Sequence, residues 1–246
     1  MALRELKTYK GRVDLGQTNT SWTKIVNLIP AGVRVLEVGC AGGHVTGFLT
    51  REKDCRVIGV ELNSEAAAAA EVYCDEMIVG DVEEGALDRV RGTFDVIVFA
   101  DVLEHLRNPQ GVLEESVHLL KEGGYLLISV PNVAHWDVRK DLLFGRFEYT
   151  ESGLMDSTHI RFFTQESIRR LIEGAGFEIE ISDATHRLPR CCKWGRCHKR
   201  SHELINRVFR GLFSYQFIFK ARPRRLGDSG RHEMSENSLA RRRSIQ

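Results

Sequence analysis

The chain alternates between short apolar runs and segments whose apolar residues recur every three or four positions. Continuous apolar runs and period-two alternation predict strands, whereas the longer spacing predicts helices. The predicted strands are residues 33–38, 56–60, 77–80, 94–100, 125–130, 177–182 and 215–221. The predicted helices are residues 22–29, 44–51, 65–74, 109–122 and 165–174. Four of them are expected to begin after a capping residue, namely Ser21, Ser64, Asn108 and Thr164. Strands that alternate with helices in this order indicate an α/β fold built on a parallel sheet.

The first predicted strand ends in a glycine-rich turn, which we expect to bind a ligand. Gly39, Gly42 and Gly43 allow the backbone to turn sharply before the next helix. In open α/β sheets, ligands bind at the carboxyl ends of strands where the strand order reverses. Gly39 is followed two residues later by Ala41, so the turn departs from the Gly-x-Gly-x-x-Gly fingerprint of dinucleotide-binding proteins. A nicotinamide oxidoreductase is therefore disfavoured.

A series of motifs continues along the chain in a fixed order. The glycine turn lies in Leu-Glu-Val-Gly-Cys-Ala-Gly-Gly at 36–43, and further motifs occupy 57–61, 80–84, 94–106 and 119–132. In this order the sequence resembles the class I S-adenosylmethionine-dependent methyltransferases, over roughly residues 20 to 183. The resemblance implies a seven-stranded, mostly parallel, Rossmann-like sheet. It would have helices on both faces and an antiparallel C-terminal strand pair.

The resemblance also implies S-adenosylmethionine as cofactor and a set of residues around it. Glu61 would hold the ribose hydroxyls, Asp81 would accept from the adenine amino group, and the Val82 backbone would lie near the ring. A loop-capping Asp81 is the structural alternative. The full predicted cofactor set is Glu37, Gly39, Cys40, Ala41, Gly43, Glu61, Leu62, Asp81, Val82 and Asp101.

Methylation of an alcohol requires removal of the hydroxyl proton, so a base is expected near the active edge of the sheet. His105 follows Asp101 by about one helical turn, and an imidazole titrates near neutral pH. His159 is the second candidate. The alternatives are a structural His105 and catalysis by positioning alone. We predict no metal, although Asp101, Glu104, Asp156 and His159 are a conceivable carboxylate and histidine cluster.

Residues 131–165 are predicted to form an acceptor lid, because the stretch is longer than a simple crossover requires. Its motif from Gly153 to Thr164 resembles methyltransferases often encoded among sugar and polysaccharide enzymes. We therefore predict methylation of a sugar or glycan hydroxyl. A small-molecule acceptor, such as a quinone precursor or a carboxylate, is the alternative within the class. A non-catalytic binding partner that keeps the fold is the alternative outside it.

Charge divides the chain into an acidic domain and a basic C-terminal part. The net charge is only +1, yet residues 185–246 contain 16 Lys and Arg against 4 Asp and Glu. We predict a lead-in at 1–19, a methyltransferase domain at 20–221 with a basic insertion at 185–213, and a disordered tail at 222–246. The 187–210 stretch would contact an anionic membrane surface peripherally. Solvated surface charge is the alternative.

Cellular location follows from what the sequence lacks. It has no apolar run of about 18 residues and no signal-peptide core, so we expect a cytoplasmic protein without a nucleic-acid partner. Cys191, Cys192 and Cys197 do not have a familiar zinc-ligand spacing, and we predict no metal there.

Overall fold

The computed structural model describes residues 13–187 and 210–224. Within them, a seven-stranded sheet carries helices on both faces. The strands are β1 (Arg34–Val38), β2 (Arg56–Glu61), β3 (Glu76–Val79), β4 (Phe94–Ala100), β5 (Leu120–Pro131), β6 (Phe177–His186) and β7 (Ser214–Pro223). The helices are α1 (Ser21–Asn27), α2 (His44–Lys53), α3 (Ser64–Ala70), α4 (Pro109–Ser116), α5 (Trp136–Leu143), α6 (Gln165–Gly174) and the short α7 (Arg210–Phe213).

The strand order is β3-β2-β1-β4-β5-β7-β6, and the order reverses between β1 and β4. The first five strands are parallel, whereas β7 is antiparallel to both β5 and β6. Val38 of β1 lies opposite Val60 of β2 and Phe99 of β4. The carboxyl ends of these three strands therefore meet at one edge, which places the glycine turn between them. The predicted fold class is confirmed.

Alternation along the parallel strands fills two apolar layers. Leu36 and Val38 of β1 point into the layer that contains Phe99, whereas Val35 points into the opposite layer with Val98. All five side chains are at most 1% exposed. Each such side chain stabilises the fold by about 1.5–3 kcal/mol relative to an exposed one. A sheet that is apolar on both faces needs helices on both faces.

The region before β5 differs from the sequence prediction. The pattern predicted a helix to residue 122, but α4 ends at Ser116, a 3₁₀ turn covers Val117–Leu119, and β5 begins at Leu120. Phe94 pairs with Leu120, and the register then shifts before Val96 pairs with Tyr125. Gly123 and Gly124 therefore lie in an irregular part of a strand rather than at a helix end. The inward-facing residues of a short helix and a bulged strand share a similar spacing, which explains the error.

Helix starts were predicted with mixed success. Asn108 and Thr164 cap α4 and α6 as expected, and Thr164 forms a capping box with Ser167. The caps of α1 and α3 are Thr20 and Asn63, each one residue before the predicted serine. Two adjacent capping residues cannot be ranked by type alone, since the backbone conformation decides between them.

Several predictions fall wholly or mostly outside the described residues. These are the lead-in, the cysteine cluster, most of the basic insertion and almost all of the tail. The membrane contact of residues 187–210 stays a prediction for the same reason. Across residues 13–187 and 210–224, every helix is too short or too polar to cross a membrane.

Candidate active site

The glycine turn has a conformation that only small residues tolerate. Gly39 and Gly43 have φ angles of 71° and 75°, and even Ala41 has a positive φ of 46°. A Cβ atom on Gly39 would lie 2.5 Å from Cγ2 of Val102. On Gly43 it would lie 2.9 Å from Cα of Ala70. The turn is thus packed tightly between the segment after β4 and the end of α3.

Glu61 holds this turn from the end of β2. Its Oε2 accepts a hydrogen bond of 2.8 Å from the Ala41 backbone N–H, and its Oε1 accepts one of 2.8 Å from the Asn63 N–H. The side chain is 8% exposed. Glu61 therefore stabilises the conformation of the turn. Its predicted contact with a ribose stays a prediction.

A cavity opens beside the turn at the carboxyl ends of β1 and β4. Its walls come from the turn, from α1 and α2, from the segment after β4, and from residues near β5 and β7. The lining residues are Trp22, Glu37, Gly39, Cys40, Ala41, His44, Val45, Ala100, Asp101, Glu104, Pro131, Gly153, His159, Tyr215 and Gln216. This set contains three carboxyl groups and no Lys or Arg among the described residues. The cavity therefore favours a ligand with positive charge.

Glu37 lies at the base of the cavity and is 3% exposed. Thr46 donates a hydrogen bond of 2.5 Å to its Oε2. Burial raises the pKa of Glu37 to about 7, although the hydrogen bond from Thr46 opposes this effect. A cation in the cavity would favour the ionised form.

Asp101 follows β4 in a left-handed conformation, with a φ of 58°. Ser129 Oγ donates to its Oδ1 at 2.9 Å, and Gln216 Nε2 lies 3.0 and 2.9 Å from its two oxygens. Burial raises the pKa of this carboxyl, and the hydrogen bonds from Ser129 and Gln216 lower it. The neutral donors hold the carboxylate in place without cancelling its charge.

Glu104 and His159 form the far wall of the cavity. Glu104 is 1% exposed and His159 is 7% exposed. Glu104 Oε2 and His159 Nδ1 have no hydrogen-bond partner among the described residues. Burial raises the pKa of Glu104 well above its ordinary value, and the charges of Asp101 and Asp156 raise it further. Burial and the neighbouring His105 lower the pKa of His159 to about 4.

His105 lies beside His159 and is not among the residues that line the cavity. The two rings meet edge to face with centroids 4.9 Å apart, and His105 Nδ1 lies 3.2 Å from the Thr158 carbonyl oxygen. One potential metal-ligand atom from each of Glu104, His105 and His159 lies within 4.8 Å of the others. Among the described residues, this is the group that could hold a cation.

The structure thus brings together some of the predicted site residues and not others. Glu37, Gly39, Cys40, Ala41, Asp101 and His159 line one cavity. Asp81 and Val82 line a separate depression with Arg107 and Asn108. Asp81 also caps the 3₁₀ turn after β3, since its Oδ1 accepts from the Glu83 N–H at 2.8 Å. Gly43, Glu61, Leu62 and His105 are outside both sets, and Leu62 is 53% exposed.

The sequence analysis did not place Gln216, Tyr215 or His44 at the site, and it considered Glu104 only as a conceivable metal ligand, yet all four line the cavity. A sequence signal for Glu104 exists, because the residue lies between Asp101 and His105 in a predicted site motif. No such signal exists for Gln216, because it follows Asp101 by 115 positions and reaches it only through the antiparallel strand β7. The Trp22 ring stacks on His44 with centroids 5.4 Å apart, which joins α1 to the start of α2 at the cavity rim.

Comparison with known proteins places this geometry in a family. A family model described as a methyltransferase domain matches residues 16–181, which is well over half of the chain. The chain belongs to this methyltransferase family. It is an S-adenosylmethionine-dependent methyltransferase, as the motifs predicted. The three desolvated carboxyl groups of the cavity fit this cofactor, whose sulfonium and ammonium groups are cationic.

The curated relatives share one name. A ubiquinone biosynthesis O-methyltransferase from Burkholderia ambifaria is 30% identical over 166 residues, covering 63% of this chain and 69% of the relative. One of the same name from Burkholderia thailandensis is 28% identical and covers 72% of this chain and 78% of the relative. These names match the quinone-precursor alternative rather than the sugar prediction. The sugar subgroup is not supported by them.

Solved structures share the fold at low sequence identity. A SAM-dependent methyltransferase from Archaeoglobus fulgidus superposes with a TM-score of 0.62 at 18% identity, covering 85% of this chain and 94% of the other. The magnesium protoporphyrin IX methyltransferase from Synechocystis PCC 6803, solved with bound SAH, gives 0.54 at 16% identity, with 87% and 89% coverage. These likenesses support the fold.

Proposed function

We propose that the enzyme transfers a methyl group to a hydroxyl of a small aromatic molecule of the quinone-precursor kind. The names of the curated relatives support an O-methyltransferase on such a molecule. The observation that carries the proposal on the structural side is a continuous set of aromatic contacts that begins at the cavity wall. It starts at His159 and leads outward along segment 131–165.

The His159 ring meets Phe162 edge to face with centroids 6.3 Å apart. Phe162 in turn contacts Phe147 at 6.3 Å and Tyr149 at 6.5 Å. Phe147 and Tyr149 are 52% and 56% exposed. Aromatic faces and edges of this kind bind planar rings well, with a contribution of about 0.5–1.5 kcal/mol per pair beyond burial. A planar acceptor would therefore find its partners directly beside the reaction cavity.

The cofactor supplies an activated methyl group, so the protein mainly aligns the acceptor with it. Glu37 and Asp101 would hold the cationic parts of the cofactor, and the glycine turn would allow its close approach. His159 would face the acceptor. The glycan acceptor of the sequence prediction is a second candidate, favoured by the polar groups of segment 131–165, but it lacks support from the relatives.

The test is a product assay on a chemically graded panel. The purified protein and S-adenosylmethionine are incubated with dihydroxybenzoates and monohydric phenols, with nucleotide sugars, and with aromatic carboxylates without a hydroxyl. S-adenosylhomocysteine and the methylated products are measured by mass spectrometry. We expect methyl ethers of the phenols. Methyl ethers of the sugars alone would restore the glycan prediction, and methyl esters would show that a carboxylate is the acceptor.

A further inference from the structure

We propose that the acceptor carries a carboxylate and that Arg187 binds this group in a second cavity, beside the cavity at the glycine turn (the reaction cavity). This inference rests on the proposed function, since it requires an acceptor that lies along the aromatic contacts of segment 131–165. The second cavity encloses about 830 Å³, including space that is open to solvent. Its walls come from α5, from residues 146–155, and from Arg187 and Tyr215.

The two cavities share one wall. Tyr215 lines both of them. Ser152 and Leu154 line the second cavity, whereas Gly153 between them lines the reaction cavity. A Cβ atom on Gly153 would lie only 2.9 Å from Tyr215 Oη, so the backbone of this loop lies directly against the tyrosine side chain. A ligand in the reaction cavity is therefore separated from the second cavity by the thickness of one side chain.

The aromatic contacts of the proposed function lead from one cavity towards the other. His159 lines the reaction cavity, and Phe147 lines the second cavity. Phe162 contacts both rings, with centroid distances of 6.3 Å to each. A planar acceptor that lies along these rings with its hydroxyl in the reaction cavity therefore has its opposite end at the second cavity. The side chains there contact the substituent at that end.

The charges of the two cavities differ, and the difference orients a charged acceptor. The reaction cavity is lined by the carboxyl groups of Glu37, Asp101 and Glu104 and by no Lys or Arg of the described residues. A carboxylate of the acceptor would have no cationic side chain to pair with there. The second cavity contains Arg146 and Arg187. An acceptor carboxylate is therefore stabilised when it points away from the glycine turn, into the second cavity.

Three acidic side chains also line the second cavity, and each is accounted for. Asp141 Oδ1 lies 2.9 Å from Arg146 Nη2 in an ion pair. Asp137 lies in the first turn of α5, where the helix dipole favours a negative charge. Glu148 is exposed to solvent. Arg187 has no carboxylate partner among residues 13–187 and 210–224, so its charge is available to a ligand.

Hydrogen bonds hold the backbone of Arg187 in place. Its N–H donates to the Phe213 carbonyl oxygen at 3.2 Å, and its carbonyl oxygen accepts from His135 Nε2 at 2.9 Å. His135 Nδ1 accepts from the Asp137 N–H at 3.2 Å, so the ring carries its one proton on Nε2. Burial lowers the pKa of His135, which keeps the ring neutral. The start of α5 is thus joined to the residue directly after β6.

The guanidinium group of Arg187 lies over the shared wall. Its Cζ is 5.3 Å from the centroid of the Tyr215 ring. The same ring meets His135 edge to face, with centroids 5.5 Å apart, which holds the tyrosine from a second side. A guanidinium presents five N–H donors in a planar fork that matches the two oxygens of a carboxylate. This geometry favours a carboxylate over a compact or neutral substituent.

The experiment compares protocatechuate, a dihydroxybenzoate, with its methyl ester, which has the same ring and hydroxyls but no charge. The variants are Arg187→Gln, Arg187→Lys and the control Arg51→Gln. Arg51 is exposed on α2 and lines neither cavity, yet its Cζ also lies over a tyrosine ring, 4.5 Å from the centroid of Tyr73. The control therefore removes an arginine of the same kind from a place without a proposed ligand.

We expect the wild-type enzyme to prefer the acid over the ester by roughly 10- to 100-fold in kcat/KM, the range for hydrogen bonds to a charged group. Arg187→Gln should lose this preference through a higher KM for the acid, with kcat within about twofold of wild type, because the contact is present before and during methyl transfer. Arg187→Lys should keep part of the preference, since it retains the charge without the planar fork. Kinetics on the ester should be unchanged in every variant, and Arg51→Gln should behave as wild type.

Calorimetry with S-adenosylhomocysteine present provides a readout that does not depend on turnover. The wild-type protein should bind protocatechuate more tightly than the ester, whereas Arg187→Gln should bind the two equally. Affinity for S-adenosylhomocysteine itself should be the same in all four proteins. Circular dichroism shows whether each variant is folded, and Arg187→Lys carries the test if Arg187→Gln is not.

Several outcomes would overturn the proposal. The wild-type enzyme could methylate the acid and the ester equally well, or only phenols without a carboxylate, and the proposed function would then stand without this inference. A loss in Arg187→Gln that falls equally on acid and ester would show a structural role for Arg187. If no hydroxyl compound is methylated, the proposed function fails and calorimetry decides alone. A preference for the acid that disappears in Arg187→Gln would still support the carboxylate site, and equal binding by the wild type would overturn it.

Discussion

The glycine turn gives the sharpest prediction from the structure, because two separate penalties act on Gly39→Ala. Gly39 has a φ of 71°, and an L-residue in this left-handed region costs about 1–2 kcal/mol. The new Cβ would also lie 2.5 Å from Val102 Cγ2. Relief of such an overlap by movement of the core costs about 1–3 kcal/mol. The free energy of unfolding should therefore fall by roughly 2–5 kcal/mol.

Gly32→Ala is the matched control for the backbone term. Gly32 has a φ of 72°, and no atom lies within 4 Å of the position of its Cβ. Its substitution should therefore cost only the backbone term of about 1–2 kcal/mol. The double variant Gly39→Ala/Val102→Ala should recover part of the loss of Gly39→Ala, since it removes the overlapping methyl groups.

Urea unfolding followed by circular dichroism measures the stability of the wild type and the three variants, and calorimetry measures their affinity for S-adenosylhomocysteine. Gly39→Ala should weaken that affinity, because the altered turn borders the cavity, whereas Gly32→Ala should leave it unchanged. A stability loss for Gly39→Ala no larger than that for Gly32→Ala would show that the contact with Val102 has no effect. A double variant Gly39→Ala/Val102→Ala that recovers no stability relative to Gly39→Ala would show the same.

Three further predictions concern Glu61, Glu37 and Thr164. Glu61→Gln should weaken S-adenosylhomocysteine binding and lower the free energy of unfolding by about 1.5–3 kcal/mol, because one backbone N–H that now meets a carboxylate oxygen would face an amide NH₂. Calorimetry measures the affinity and urea unfolding measures the stability. If neither changes, the prediction is wrong. The pKa of Glu37 is raised from 4.5 to about 7 in the folded state, so between these pH values the folded protein binds more protons than the unfolded chain. The free energy of unfolding should therefore fall by about 3 kcal/mol as pH rises from 4.5 to 7. Glu37→Gln should flatten this part of a pH series of urea titrations, and an unchanged slope would show that Glu37 titrates normally. Thr164→Ala removes the capping box of α6 and should lower the free energy of unfolding by about 1 kcal/mol in the same assay, with cofactor affinity unaffected. A loss of affinity would mean that α6 supports the cavity.

The strands and the glycine turn were predictable because each has a strong local signal. Phe94–Ala100 is a continuous apolar run, and Gly39 is required by a left-handed turn between two tightly packed elements. The placement of Glu37 and Asp101 followed from this, since the parallel strands end at one edge. Of the residues predicted at strand ends, Glu37 and Asp101 line the cavity, whereas Glu61 and Asp81 do not.

The rest of the site depends on contacts that are distant in sequence. Gln216 reaches Asp101 only because β7 inserts between β5 and β6. His105 and Glu104 are neighbours on a 3₁₀ turn, and the N–H groups of Ile160 and Arg161 donate to the Glu104 carbonyl oxygen from a distant part of the chain. A sequence pattern identifies such a motif without telling which of its side chains faces the cavity. The identity of the acceptor depends on such contacts as well, and a local sequence pattern does not reveal it.

A crystal structure with bound S-adenosylhomocysteine would show whether the cofactor occupies the cavity at the glycine turn. Ligand density is expected against Gly39 and Ala41, with the amino group near the carboxylate of Asp101 and the sulfur directed towards Glu104 and His159. Density for the ligand on another face of the sheet, with this cavity filled by solvent, would contradict it.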